Sequence, residues 1–352
     1  AIALDSTFAL AYLRKGVGYF SDGRSEDGFK VMAIARRYMD RVPGCERLLI
    51  QALAVDIGEK QDYEGALRTL KQATVECPTH KEAFFWVANF SGGGFRNEPE
   101  TTIVYARRAL ELDPDYPYAL LNLSNAYLKK KDYAAARDVA SHYREVRPRD
   151  VYPIELLGDV CLAQGQYDSA KVWYMRAVQV APEQRNGYRE IARIFVLQGR
   201  PDSAIAWYAK TLASDNMLTR QLALRSVASI HKSWGRFEES LGYYRKAATM
   251  AQAADLPDQE AGAHSAIGWL YMETWQPERA LEEFKKVSQL DTISPQGEIL
   301  QAYALCRLQK PDEARRIIKK VRDDWQGRVD SLQFISEAAS IEGCIALEGG
   351  DQ

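Results

Sequence analysis

Apolar residues recur three and four positions apart along nearly the whole chain, and no stretch alternates with a period of two for long. That pattern predicts α-helix throughout. A second phrase is written over it: a small residue, an aromatic or large apolar residue three positions on, a Gly or polar turn, then another small residue. The second small position falls at Gly28, Ala66, Thr102, Ala136, Ala170, Ala204, Ser240, Ala280 and Ala314, with separations of 38, 36, 34, 34, 34, 36, 40 and 34 residues. The first, twelve residues earlier in most copies, is Gly16, Ala54, Ala88, Ser124, Gly158, Ala192, Ala228, Gly268 and Ala302. Each unit therefore reads as two helices joined by a short turn such as "KKKDY" (129–133), "AQGQY" (163–167), "LQGRP" (197–201) or "SWGRF" (233–237). Pro78, Pro114, Pro148 and Pro182 stand where second helices should stop. Small side chains are expected where the two helices cross, because bulk there would hold the backbones apart.

A period of 34 with these markers resembles the tetratricopeptide repeat family, whose consensus pairs small residues at its eighth and twentieth positions. The phrase is clearest at 117–150 and 151–184, nearly as clear at 185–218, 261–294 and 295–328, and weaker at 9–46 and 81–116, where "SGGGFRNEPE" lengthens the turn. Further insertions are read at "DLPDQE" (255–260) and "WQGRVDS" (325–331). The resemblance implies an all-α, right-handed superhelical solenoid of helix-turn-helix units. As a single array over 1–352 the units are 9–46, 47–80, 81–116, 117–150, 151–184, 185–220, 221–260, 261–294 and 295–330. A partial unit follows at 331–352, and 1–8 is taken as the tail of a preceding helix. Both ends stop inside the pattern, so the expectation is a segment of something longer.

Composition narrows the classes. With 46% hydrophobic and 27% charged residues the chain can bury a core, and its net charge of -2 lacks the basic excess of a general nucleic-acid binder. No run approaches the length of a membrane span. Five cysteines, Cys45, Cys77, Cys161, Cys306 and Cys344, are scattered without a C-x-x-C pair and are expected as reduced thiols in a cytoplasmic setting.

The usual catalytic signatures are missing: there is no P-loop, nucleophile elbow, H-E-x-x-H or EF-hand loop, so no enzyme, cofactor or metal is expected. "SGGGF" (91–95) reads as a long turn, since no strand precedes it. His80, His142, His231 and His264 are spread over separate units and read as surface or groove histidines.

The groove remains. In the resembled family the first helices line a concave surface, with positions two, five, six and nine of each facing into it. Mapped onto this chain, those positions bring Phe85, Trp86, Tyr118 and Tyr152 into an aromatic wall, with Asn89, Asn122 and Asn125 beside it. Arg189, Arg193 and Arg225 cluster one helix further on. Aromatic rings offer contact area at low entropic cost, amides bond a peptide backbone whatever its sequence, and arginines hold a carboxylate or phosphate by forked hydrogen bonds. The lysine-rich clamp that some relatives use for C-terminal carboxylates is not expected, because Phe85, Tyr152 and Leu156 stand at its basic positions.

The leading expectation is thus a noncatalytic scaffold binding a protein or peptide. A second is the sensory arm of a larger enzyme, since the first seventy or so residues resemble repeat regions appended to bacterial serine/threonine kinases, adenylate cyclases and transcriptional activators. A third is a homo-oligomer formed through Trp325 and the unfinished last unit.

Overall fold

The computed structural model describes residues 2, 4–21, 25–57, 62–92, 96–184, 186–214, 216–291 and 294–325. Among them every regular element is helical. The chain divides into two compact units, Ala1–Gly187 and Tyr188–Gln352.

In the first unit the hairpins are α1 (Ala9–Ser21) with α2 (Ser25–Arg37), then α3 (Gly44–Ile50), continued by a π-helical segment (Gln51–Ile57), with α4 (Tyr63–Glu76). They continue as α5 (Lys81–Gly92) with α6 (Pro99–Leu112), α7 (Pro117–Lys129) with α8 (Tyr133–Val146), and α9 (Tyr152–Ala163) with α10 (Tyr167–Val180). The second unit follows with α11 (Asn186–Leu197) and α12 (Pro201–Thr211), α13 (Met217–Ser233) and α14 (Phe237–Ala253), α15 (Pro257–Glu273) and α16 (Pro277–Leu290), and α17 (Gln296–Arg307) and α18 (Pro311–Trp325). The four turns read from the sequence fall between α7 and α8, α9 and α10, α11 and α12, and α13 and α14, and Pro78, Pro114, Pro148 and Pro182 each stand two residues beyond a helix end.

The crossings behave as the small residues require: all eighteen marker positions are buried. A Cβ on Gly158 would come within 2.6 Å of the Tyr174 ring, and one on Gly268 within 2.3 Å of the Phe284 ring. Tyr174 and Phe284, both fully buried, use the space that the missing side chains leave.

The turns share one backbone device. Lys131, Gly165, Gly199, Gly235, Trp275 and Gln309 all have positive φ, from 55° to 72°. The next residue's N–H returns to a carbonyl in the helix just ended, as Gln166 does to Cys161 and Arg236 to His231, each at 2.9 Å. This closes the helix by satisfying its last carbonyls. Asp62, Asp132 and Asn216 cap the following helices by accepting from Gly65, Ala135 and Thr219 N–H groups.

Several expectations are corrected. Residues 5–8 are turn and coil, not the end of a helix. Asp5 accepts from both the N–H and the hydroxyl of Thr7, at 2.8 and 2.7 Å, and so takes the backbone into a local turn. The first helix of the second repeat begins at Gly44 and widens into the π-helical segment. The insertion at 255–260 lengthens helices instead of the loop: α14 and α15 are 17 residues each, with three residues between them. Cys45 and Cys77 form a disulfide, joining the start of α3 to the residue that ends α4. The cysteines are therefore not all reduced thiols; Cys161 and Cys306 are buried, and Cys344 lies outside the described residues. The sequence reading failed here because the two sulfurs meet only once the repeat closes, 32 residues apart in the chain. The insertion read at 325–331, apart from the backbone of Trp325 at the end of α18, and the partial unit 331–352 also lie outside the described residues.

Candidate binding site

Phe85 and Trp86 sit on α5, and Tyr118 opens α7. Their rings converge: the Phe85 centroid lies 4.9 Å from Trp86 and 5.6 Å from Tyr118. Tyr116, just before α7, completes the group, 5.7 Å from Phe85 with the rings edge-on and 5.6 Å from Tyr118. These spacings suit edge-to-face and offset aromatic contact. Position mapping missed Tyr116 because it precedes the helix.

The rings form one side of a cavity of about 310 Å³. The opposite side is α1, through Leu10, Leu13, Val17 and the Arg14 side chain. Arg14 pairs with Glu82 of α5, both lining the cavity. Burial opposes the charge on Arg14, but the hydrogen bond and the charge of Glu82 outweigh it and raise the arginine pKa, with Tyr116 and Tyr118 adding to the effect. Burial likewise raises the Tyr116 hydroxyl, so it stays neutral. Lys81 bridges to Asp113 at 2.5 Å and stands 4.8 Å from the Tyr116 centroid. The contribution of α1 was not legible, because its partners lie about seventy residues away in sequence.

The remaining predicted residues are distributed differently. Tyr152, 46% exposed at the start of α9, is not among the residues lining this cavity. Asn125 is exposed, Asn89 half-buried, and the enclosed Nδ2 of Asn122 has no hydrogen-bond partner among the described residues. Leu156 is buried, and Asp159, at another mapped groove position, accepts a 2.6 Å hydrogen bond from the Tyr174 hydroxyl.

In the second unit Arg189 and Arg193 share one carboxylate. Glu190, nearly buried, receives Arg189 Nε at 3.0 Å and Arg193 Nη1 at 3.2 Å. Arg225 is directed at α15, its Nη1 3.4 Å from where a Cβ of Gly262 would stand. The three arginines thus make two features: a pair half-neutralised by Glu190, and a guanidinium lying on the backbone of α15. A further aromatic pair, Trp269 and Tyr303, has centroids 5.8 Å apart, with Trp269 39% exposed. Extending the nine-position rule to 261–294 and 295–328 would have found both.

A second cavity, of about 430 Å³, is walled by Thr249, Gln252, Glu260, His264 and Lys286, among others. Nδ1 of His264 meets Glu283, which also receives Lys286 at 2.9 Å, while Nε2 lies 3.7 Å from Glu260. Burial tends to raise the Glu283 carboxyl, but the hydrogen bonds from His264 and Lys286 outweigh it and hold its pKa below the ordinary value. Among the described residues no group of three or more His, Cys, Asp or Glu side chains is arranged to hold a metal ion, and no helix is long and apolar enough to cross a membrane.

Two family models described as tetratricopeptide repeat match this chain, over residues 96–158 and 155–216. Over residues 96–216 the chain carries tetratricopeptide repeats. The crystal structure of yeast Tom70 resembles it with a TM-score of 0.64 at 13% identity, covering 97% of this chain and 83% of that one. A tetratricopeptide repeat protein from Parabacteroides merdae gives a TM-score of 0.49 at 14% identity, over 84% of this chain and 98% of its own. At such identities the likeness to Tom70 shows the fold alone. No curated protein matches. The repeats make the chain an α-helical solenoid of a kind that serves as a protein-interaction scaffold.

Proposed function

We propose that the chain is a noncatalytic interaction array that binds a protein or peptide along the face formed by its first helices. The observation that carries this reading is the cluster of Phe85, Trp86, Tyr116 and Tyr118 around a cavity that α1 walls on its other side. A single helical hairpin cannot bury its own apolar face, so within each compact unit stacking supplies both the core and an inner surface. On that surface, Trp and Tyr rings are among the side chains that most often anchor a partner. The exposed Asn125 supplies an amide toward a bound backbone, and the Arg189, Glu190 and Arg193 group retains one net positive charge for an acidic segment. The treatment of 1–352 as one array belongs to this proposal, supported by the spacing of its marker residues.

The disulfide bears on location. A Cys45–Cys77 bond supports an oxidising compartment and weighs against a cytoplasmic signalling arm.

The test is affinity capture with the intact chain beside variants Trp86→Ala, Asn122→Ala and Arg189→Ala. The proposal expects the Trp86 variant to lose the partners that the intact chain retains. Recovery of the same partners at equal strength by all four proteins would overturn it.

A further inference from the structure

The aromatic cavity combines two features that together select one class of ligand. Four rings, Phe85, Trp86, Tyr116 and Tyr118, line it, and a single carboxylate, Glu82, stands among them. Ring faces carry negative potential, so a ring cluster beside a carboxylate attracts a large, weakly hydrated cation more strongly than a neutral group of equal size. Such a cation is already present. Arg14 reaches from α1 to Glu82.

Arg14 is poorly fixed for a structural ion pair. Its side chain is 62% exposed while Glu82 is 22% exposed, so the carboxylate is the enclosed partner and the arginine the exchangeable one. An ion pair this open contributes little to stability, and another cation replaces it at small cost. The α1 backbone need not move for that exchange, because Ala9 and Leu13 anchor the helix in the core while Arg14 lies on the cavity side. Leu10 and Val17 leave an apolar wall against which the methylene stem of an incoming side chain can lie.

We propose that this cavity is a recognition site for an arginine side chain of a partner protein, and that Arg14 is the internal guanidinium which that side chain displaces from Glu82. The inference rests on the reading of this face as a peptide-binding surface and names the residue that the surface selects.

The test is titration of the full chain with Nα-acetyl-arginine amide and, separately, Nα-acetyl-citrulline amide, a neutral isostere, followed by calorimetry and ligand-observed NMR. Arginine amide should bind roughly fivefold or more tightly than citrulline amide. Arg14→Gln should tighten arginine amide about threefold, since the internal competitor is gone, and Glu82→Gln should abolish the preference. Thermal melts check that each variant is folded, and Arg14→Met replaces Arg14→Gln if the latter melts early. Equal binding of the two amides would overturn the cation site and leave the peptide-binding face standing. Weaker binding in the Arg14 variants would also overturn it, by making Arg14 a contact instead of a competitor. If neither amide binds, the inference fails; the wider proposal fails with it only if capture is also unaffected by Trp86→Ala.

Discussion

The hydroxyl of Ser124 donates to the carbonyl of Ala136 at 3.0 Å, both residues fully buried, where α7 crosses α8. Thr102 and Ala88 repeat the arrangement in the preceding hairpin, with the donor on the second helix. The small residues thus allow the backbones close enough for a side chain on one helix to bond the backbone of the other. Ser124→Ala should cost about 1 kcal/mol through the lost hydrogen bond, and Ser124→Leu roughly 1–3 kcal/mol more through overpacking. Urea denaturation at matched m-values measures both.

Glycine substitutions should divide by position. Ala is normally favoured over Gly inside a helix by about 1 kcal/mol, yet Gly268→Ala should destabilise, because its Cβ would enter the Phe284 ring. Gly242→Ala, with nothing within 4 Å, should stabilise by about 0.5–1 kcal/mol. Opposite shifts in thermal midpoint are the expected result; shifts of the same sign would refute the packing argument.

Trp275 takes the left-handed turn position that Gly165, Gly199 and Gly235 fill elsewhere, with φ 57° and 78% of its surface exposed. A bulky residue is strained there, and the Arg307 guanidinium 5.4 Å from its ring offsets little. Trp275→Gly should raise stability by about 0.5–1 kcal/mol, while Gly235→Ala should lower it by about 1 kcal/mol. Chemical denaturation of the two variants checks the pair.

Opening the Cys45–Cys77 bond should destabilise its repeat. The chain-entropy relation gives about 3–4 kcal/mol for a loop closed over 32 residues of separation. Melting with and without a phosphine reductant, beside a Cys45→Ser, Cys77→Ser double variant, measures it. The double variant should lie at the reduced value and ignore the reductant.

Glu283 predicts the acid limb of stability for the second unit. Its folded pKa is depressed, so its contribution is complete above the ordinary glutamate value of 4.5 and is lost as pH falls through the lower folded value. Glu283→Gln should therefore reduce stability at neutral pH and flatten the loss below about pH 4.5. Denaturation midpoints between pH 3 and 7 for both proteins decide this.

What the sequence determined by itself was everything set by local spacing. Helical period, turns and the small residues at each crossing follow from backbone geometry that repeats every 34 or so residues, and the hairpins appear where those signals place them. Phe85, Trp86 and Tyr118 were reached the same way, since each occupies a fixed helix position. Tertiary structure decided whatever needed partners distant in the chain: the Cys45–Cys77 bond, the Glu190 carboxylate shared by Arg189 and Arg193, and α1 closing over the aromatic rings to set Arg14 against Glu82. The physical reason is that periodicity specifies which face a side chain occupies. Its neighbour across that face is chosen only when distant segments pack and charges and rings settle into the space left to them.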